Sequence, residues 1–234
     1  MQVKAFAKLN LTLDILRRRE DGYHDLQMVM QSIDLADELT ITPAEGVGAM
    51  STTLSYLPSD GRNLAQMAAE AFRNAAGRGG QLDISIVKRI PVCAGMAGGS
   101  SDAAAVLRAM NELTGAGYTP AELAKIGEAV GSDVPYCVLG CTALAEGRGE
   151  KLTCLPALPD CHIVLCKPGF SVSTPELFRR IDELKLRFHP DTAGVLAALE
   201  EGDLAGVSRR MFNVFEEALP AQRRAVVEEI KSTL

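Results

Sequence analysis

The chain has 234 residues, 47% of them hydrophobic and 23% charged, which suffices for one large or two modest globular domains and excludes a disordered chain. The glycines follow no Gly-X-Y period, so a collagen-like fibre is excluded as well. A net charge of −6 gives no general affinity for phosphate polymers or anionic membranes, and the nearest basic run, Arg17-Arg18-Arg19, meets Glu20 and Asp21 at once and reads as a solvated strand end.

Residues 3 to 13 alternate between Val3, Ala5, Ala7, Leu9, Leu11 and Leu13 on one side and Lys4, Phe6, Lys8, Asn10 and Thr12 on the other, the pattern of a half-buried strand with a polar face. Lys8 and Asn10 project the same way about 7 Å apart. That spacing suits two groups facing one ligand, though the strand by itself reads better as a solvated edge. Asp21-Gly22 is a turn signal, so the strand is expected to double back with Tyr23 and His24 near its tip. Leu39 and Ile41 alternate with threonines as another strand. From Arg62 to Gly77, Leu64, Met67, Ala68, Ala71, Phe72 and Ala75 recur at helical spacing, with Asn63 at the start and Gly77 as the stop. Leu82, Ile84 and Ile86 form the next alternating strand.

That strand leads into Pro91-Val92-Cys93-Ala94-Gly95-Met96-Ala97-Gly98-Gly99-Ser100-Ser101-Asp102, followed by an Ala-rich helix with Ala103, Val106, Leu107 and Met110 on one face. Strand, glycine loop and helix is an arrangement that binds phosphate. Glycines let the backbone approach oxygen atoms, and the free N–H groups and dipole at the helix start favour an anion. Ser100 and Ser101 add hydroxyls. No Gly-Lys-Ser/Thr occurs, so the loop is not a Walker A loop, and it is not a dinucleotide-binding GxGxxG either. Ser-Ser-Asp as an ordinary helix cap is the competing reading.

Thr119-Pro120-Ala121-Glu122 is a capping box, with a helix expected to about Val130. In Gly131-Ser132-Asp133-Val134-Pro135 an acid sits in a rigid turn; alone, the Asp reads best as bonding its own backbone. Thr142 to Ala145 and His162 to Cys166 have strand character. Leu155-Pro156-Ala157-Leu158-Pro159-Asp160 is the best candidate for a domain junction. Beyond it, Thr174-Pro175 and Asp191 open helices, and helical patterns continue to Leu234.

No segment reaches the roughly 18 to 20 apolar residues of a membrane span. The first 16 residues carry Lys4 and Lys8 within their apolar stretch, unlike a secretory signal, so a cytoplasmic location is expected. The cysteines at 93, 137, 141, 154, 161 and 166 then read as reduced core thiols rather than disulfides or metal pairs.

Taken together, Ala7-Lys8-Leu9-Asn10-Leu11, Arg19-Glu20-Asp21-Gly22-Tyr23-His24, Ile90 to Ala105, Gly131 to Pro135, Lys167 to Pro175 and Asn213-Val214-Phe215-Glu216 resemble the GHMP kinase superfamily, whose loop reads P-x-x-x-G-[LM]-[GA]-[GS]-S-[SA]. The resemblance implies a two-domain α+β fold, with a ribosomal S5 domain 2-like ATP-binding domain over residues 1–157 and a ferredoxin-like domain over 158–234. It also implies a phosphotransferase with an alcohol acceptor, moving the γ-phosphoryl of ATP, with Mg2+, to the 2-hydroxyl of a cytidine-diphosphate-linked methylerythritol in non-mevalonate isoprenoid synthesis. By that resemblance Lys8 and Asp133 are the catalytic pair. Pro91 through Ser101 is the ATP phosphate loop, and Asn63 and Lys88 lie near the adenine or ribose. Asn10 holds the methylerythritol end. Tyr23 and Phe178 sandwich the cytosine while His24 gives it hydrogen bonds. His162 and His189 are structural. No nucleic-acid or membrane partner is implied, and the expected state is a monomer or weak homodimer. A second glycine-rich motif of S-G-S-G type does not occur before Leu234, so the second domain is expected to be truncated. Two other readings stay open: another GHMP small-molecule kinase, or an inactive shortened nucleotide-binding homologue.

Overall fold

The computed structural model describes residues 1–234. They form two compact units: Met1–Leu9 with Gln31–Cys141, and Asn10–Met30 with Thr142–Leu234. This division differs from a boundary near residue 157, because two long strands, β1 (Gln2–Arg18) and β2 (His24–Pro43), each contribute residues to both units.

In the first unit, the later part of β2 pairs antiparallel with β4 (Leu82–Val87), in a register that sets Leu39 opposite Ile86 and Ile41 opposite Ile84. A short β3 (Met50–Thr52), without a sequence signal of its own, lies parallel on β4. Helix α1 (Leu64–Ala76) forms where its periodicity predicts: Asn63 Oδ1 accepts from the Ala65 N–H at 3.0 Å, and Gly77 closes it at φ 59°. Its stripe of Ala65, Ala68, Ala69 and Phe72 is buried, and a side chain such as Phe72 contributes about 1.5–3 kcal/mol on burial. Helix α2 (Gly98–Thr114) departs from a one-faced stripe. Ser101 through Leu107 are all buried, so its first turns are enclosed on every side, which small alanines permit. In α3 (Pro120–Gly127) both arms of the capping box are made, Glu122 N–H to Thr119 Oγ1 and Thr119 N–H to Glu122 Oε2.

The α3 helix stops at Gly127, short of Val130, and α4 (Val134–Leu139) begins inside the acidic turn. Gly127 is required by this close packing: a Cβ there would lie 2.7 Å from Val134 Cγ1. Gly127→Ala is therefore expected to destabilise the protein by about 1–3 kcal/mol, visible as a lower Tm in a thermal melt.

In the second unit, Leu26–Met30 of β2 pairs antiparallel with β5 (Ala143–Gly147), which forms a hairpin with β6 (Lys151–Cys154). A two-residue β7 (Phe212–Asn213) lies parallel to β1 at Thr12 and Leu13. Five helices follow the hairpin: α5 (Thr174–Glu183), α6 (Thr192–Glu201), α7 (Leu204–Arg210), α8 (Phe215–Ala218) and α9 (Ala221–Thr233). Leu11, Val29, Val195, Ala198, Leu199 and Val207 make the core. The expected polar face of β1 is covered here. Thr12 is wholly buried, its Oγ1 accepting from the Val29 N–H at 3.1 Å, and Asp14 Oδ1 lies 2.8 Å from His189 Nδ1, which gives that histidine a structural place.

Two expectations are corrected. His162–Cys166 forms no strand: no helix or strand occurs between β6 and α5, and Ile163, Val164 and Leu165 are exposed. This apolar run finds no neighbouring strand to pair with, and strand propensity is realised only through such neighbours. The cysteines are not uniformly reduced core thiols either. Only Cys137 is a buried free thiol; Cys93, Cys161 and Cys166 are free and exposed because they sit in the glycine loop and the unpaired stretch, and Cys141 and Cys154 are disulfide-bonded. A thiol reagent is expected to label Cys93, Cys161 and Cys166 quickly in the folded protein and Cys137 only after denaturant is added. Fast native labelling of Cys137 would contradict its enclosure.

Candidate active site

The glycine loop leaves β4 through Lys88, Arg89 and Ile90 and enters α2 at Gly98. Its backbone has positive φ at every second position: Cys93 (56°), Gly95 (71°) and Ala97 (55°). For the two non-glycine residues this costs on the order of 1–2 kcal/mol each. Two contacts hold the shape: the Lys8 N–H donates to the Met96 carbonyl at 3.2 Å, and Met96 packs with Ala7 and Ile90. Successive amides in such an alternating backbone turn their N–H groups to one side and form an anion-binding concavity. Helix α2 adds to it, because its N-cap residue is Ala97 and no side chain caps the helix. The first-turn N–H groups thus have no side-chain acceptor and suit a phosphate. This excludes Ser-Ser-Asp as the cap. Ser101 Oγ instead donates to the Phe6 carbonyl and lies 3.4 Å from Cys137 Sγ, and Asp102 pairs with Lys88.

Ser101 Oγ reaches the Cys137 thiol, and the charges of Lys8 and Asp133 are both felt there. Cys137 lies in the first turns of α4, its N–H bonded to the Asp133 carbonyl at 3.0 Å. The thiol is pushed up to about 11, mainly by burial, with the Ser101 hydrogen bond opposing the shift, the Asp133 charge adding to it and the Lys8 and Arg108 charges opposing it. Lys8 is 5% exposed and Asp133 half-buried. Asp133 is the N-cap residue of α4, yet its side chain makes no capping hydrogen bond. The reading of a turn-forming Asp bonded to its own backbone does not hold, and the carboxylate keeps acceptor capacity. Asn10 follows Lys8 by two residues on β1 and is half-buried.

In the second unit, His24 opens β2 directly after the turn that carries Tyr23. The His24 ring stacks on Phe178 of α5 with centroids 4.8 Å apart and planes at 17°, and Phe178 meets Phe215 edge-on at 5.0 Å. His24 Nε2 lies 2.8 Å from Asp182 Oδ1, one helical turn beyond Phe178. Tyr23 is 57% exposed, with the Arg148 guanidinium 5.0 Å over its ring. The structure therefore brings His24 and Phe178 together and sets the Tyr23 ring against a cation.

Asn63 and Lys88 are both engaged. Asn63 caps α1 and donates through Nδ2 to the Pro58 carbonyl at 2.8 Å. The Lys88 ammonium is held between Asp37 and Asp102. Asp37, Asp182, Arg148 and Phe215 escaped the sequence reading as partners of these groups. Each is a common residue type in a strand, helix or loop, and no spacing rule joins it to a partner that can be more than a hundred residues away.

The glycine loop and the acidic turn lie within residues 63–141, which match the profile described as "GHMP kinases N terminal domain". A 4-diphosphocytidyl-2-C-methyl-D-erythritol kinase of Clostridium kluyveri is 44% identical over 238 residues, covering all of this chain and 83% of that protein. One of Enterococcus faecalis is 45% identical over 99% of this chain and 81% of its own length. A crystal structure of 4-(cytidine 5'-diphospho)-2C-methyl-D-erythritol kinase superposes with a TM-score of 0.74 at 34% identity, over the whole of this chain and 81% of the other. The chain belongs to the 4-diphosphocytidyl-2-C-methyl-D-erythritol kinase family.

Proposed function

We infer that this chain is an ATP-dependent kinase that phosphorylates the 2-hydroxyl of 4-diphosphocytidyl-2-C-methyl-D-erythritol in isoprenoid precursor synthesis. The observation that carries the reading is the left-handed glycine loop running into the uncapped start of α2, tied through Met96 to the backbone of Lys8. Phosphoryl transfer asks a protein mainly for positioning and for charge placed where it develops. Pro91 through Ser101 would hold the phosphates of ATP through backbone N–H groups. Asp133 would accept the proton of the substrate hydroxyl, and Lys8 would orient that hydroxyl and offset the negative charge that grows on it. Tyr23, His24 and Phe178 would bind the cytidine, with Asn10 toward the methylerythritol.

Magnesium accompanies ATP in such transfers, bound largely by phosphate oxygens and water. No group of three or more His, Cys, Asp or Glu side chains is placed to hold a metal ion. The chain would add only single oxygen donors, the Ser100 hydroxyl and the Asp133 carboxylate, and the ion would supply charge neutralisation at the phosphates. No helix is long and apolar enough to cross a membrane. The reading includes a cytoplasmic location and a monomer or weak homodimer.

An ADP-release assay comparing 4-diphosphocytidyl-2-C-methyl-D-erythritol with mevalonate tests the reading. Turnover of the cytidine substrate alone supports it. Turnover of mevalonate alone would assign the chain to another branch of the superfamily, and ATP binding without turnover of either would mark it as an inactive homologue.

A further inference from the structure

Three ionisable side chains lie buried beneath the glycine loop, and the chemistry proposed above uses none of them as a reacting group. Asp37, in the middle of β2, is fully buried. Its Oδ1 accepts from the Arg89 N–H and, at 2.9 Å, from the Ile90 N–H, the two amides immediately ahead of Pro91. Its Oδ2 accepts from Lys88 Nζ. The same ammonium donates at 2.6 Å to Oδ2 of Asp102, in the first turns of α2 just beyond the loop. The Lys88 and Asp102 side chains are about as enclosed as Asp37, and Asp102 Oδ1 is buried without a hydrogen-bond partner.

We propose that Asp37, Lys88 and Asp102 form a buried ionic clamp that ties the two ends of the phosphate loop together and holds its left-handed turns in the shape that receives ATP. Asp37 grips the chain before the loop, Asp102 grips the helix after it, and Lys88 joins the two. Gly98 belongs to the same arrangement. A Cβ there would come within 3.2 Å of Ile90 Cγ2 and 3.4 Å of Lys88 Nζ, so the bare backbone is what lets the end of the loop settle onto the lysine.

The energetics fit a positioning device better than a stabilising one. Two carboxylates and one ammonium taken out of water cost several kcal/mol per ion, and their attraction roughly offsets this. Burial works against the charge on Lys88, but Asp102 and Asp37 together raise its pKa. Burial is also the main reason that the Asp102 carboxyl is pushed up to about 7, with Lys88 opposing and Asp37 adding to the shift. What the arrangement supplies is a fixed distance between residue 89 and residue 102, with the strained positions 93, 95 and 97 between them.

The clamp rests on the loop being the ATP site, and the experiment separates the two ideas. Asp37→Asn keeps an oxygen for the Arg89 and Ile90 amides but sets an amide N–H2 against the Lys88 ammonium. Asp102→Asn keeps an acceptor for Lys88 and the local shape while removing the charge. Both are measured by steady-state kinetics with ATP and the cytidine substrate varied in turn, by thermal melting, and by hydrogen exchange of the amides from 89 to 98. The expected result for Asp37→Asn is a KM for ATP raised about tenfold, a KM for the cytidine substrate within about twofold, and amide exchange in the loop at least about tenfold faster, a factor of ten being about 1.4 kcal/mol. Asp102→Asn should move the same readouts in the same direction by a smaller factor. Equal changes in both KM values, or a lower Tm with loop exchange and KM for ATP unchanged, would overturn the clamp. If Asp37→Asn does not fold, Asp102→Asn alone decides by the same criteria. Wild-type protein that neither binds nor uses ATP would instead remove the functional reading beneath it.

Discussion

Asp133→Asn is expected to lower kcat by about 10²- to 10⁴-fold, the usual contribution of a positioned acid or base, while the dissociation constant for ATP stays within about twofold. The asymmetry follows from where the side chain sits. Asp133 is the N-cap residue of α4 but caps nothing with its carboxylate, so the amide replacement forfeits no capping bond. The helix itself is held by burial of Val134 through Val138. The glycine loop is held by the bond from the Lys8 N–H to the Met96 carbonyl and by the packing of Met96 with Ala7 and Ile90, and the Asp133 side chain takes part in neither. Loss of turnover at unchanged Tm and unchanged ATP affinity, measured by calorimetry, is the expected pattern. Near-normal turnover would remove Asp133 from the catalytic role.

Tyr23→Ala is expected to raise the KM for the cytidine substrate roughly 5- to 150-fold, from the about 1–3 kcal/mol that stacking a base on an aromatic ring is worth, and to leave the KM for ATP almost unchanged. Tyr23 is the cleanest of the three proposed cytidine residues to truncate. Its ring is largely exposed, with the Arg148 guanidinium over it, so stability should shift by no more than about 0.5 kcal/mol. Phe178 is less suitable, since it also supports the His24 ring and meets Phe215, and its removal would disturb both. Equal rises in both KM values for Tyr23→Ala would refute a base-stacking role.

The parts of the fold that local rules govern were readable in advance. Asn63 and Gly77 mark the ends of α1, Thr119 and Glu122 build the capping box, and Asp21-Gly22 makes the turn before His24, because each depends on residues within a few positions of one another. The glycine loop was readable for the same reason. The state of Asp133 was not: a Gly-Ser-Asp-Val-Pro turn looks alike whether its acid bonds the backbone or not, and only the folded turn shows that the carboxylate caps nothing. Asp37 was hidden more deeply. It lies in a strand among Asp34 and Glu38, and nothing nearby says that this one acid is fully buried under a lysine 51 residues on. The strand expected at His162–Cys166 failed for the converse reason. Its composition is right, but a strand needs a neighbour, and composition does not supply one.

That same stretch has a consequence for how the protein behaves in solution. Residues 161–166 expose Ile163, Val164 and Leu165 with their backbone outside any ladder, so their N–H and C=O groups can pair with a strand of another molecule. Asp160 before the stretch and Lys167-Pro168 after it are the charged and ring-constrained residues that oppose such pairing. Self-association is thereby restrained at the margins of the stretch rather than along it. Protein concentration is then the variable that governs any pairing through this stretch.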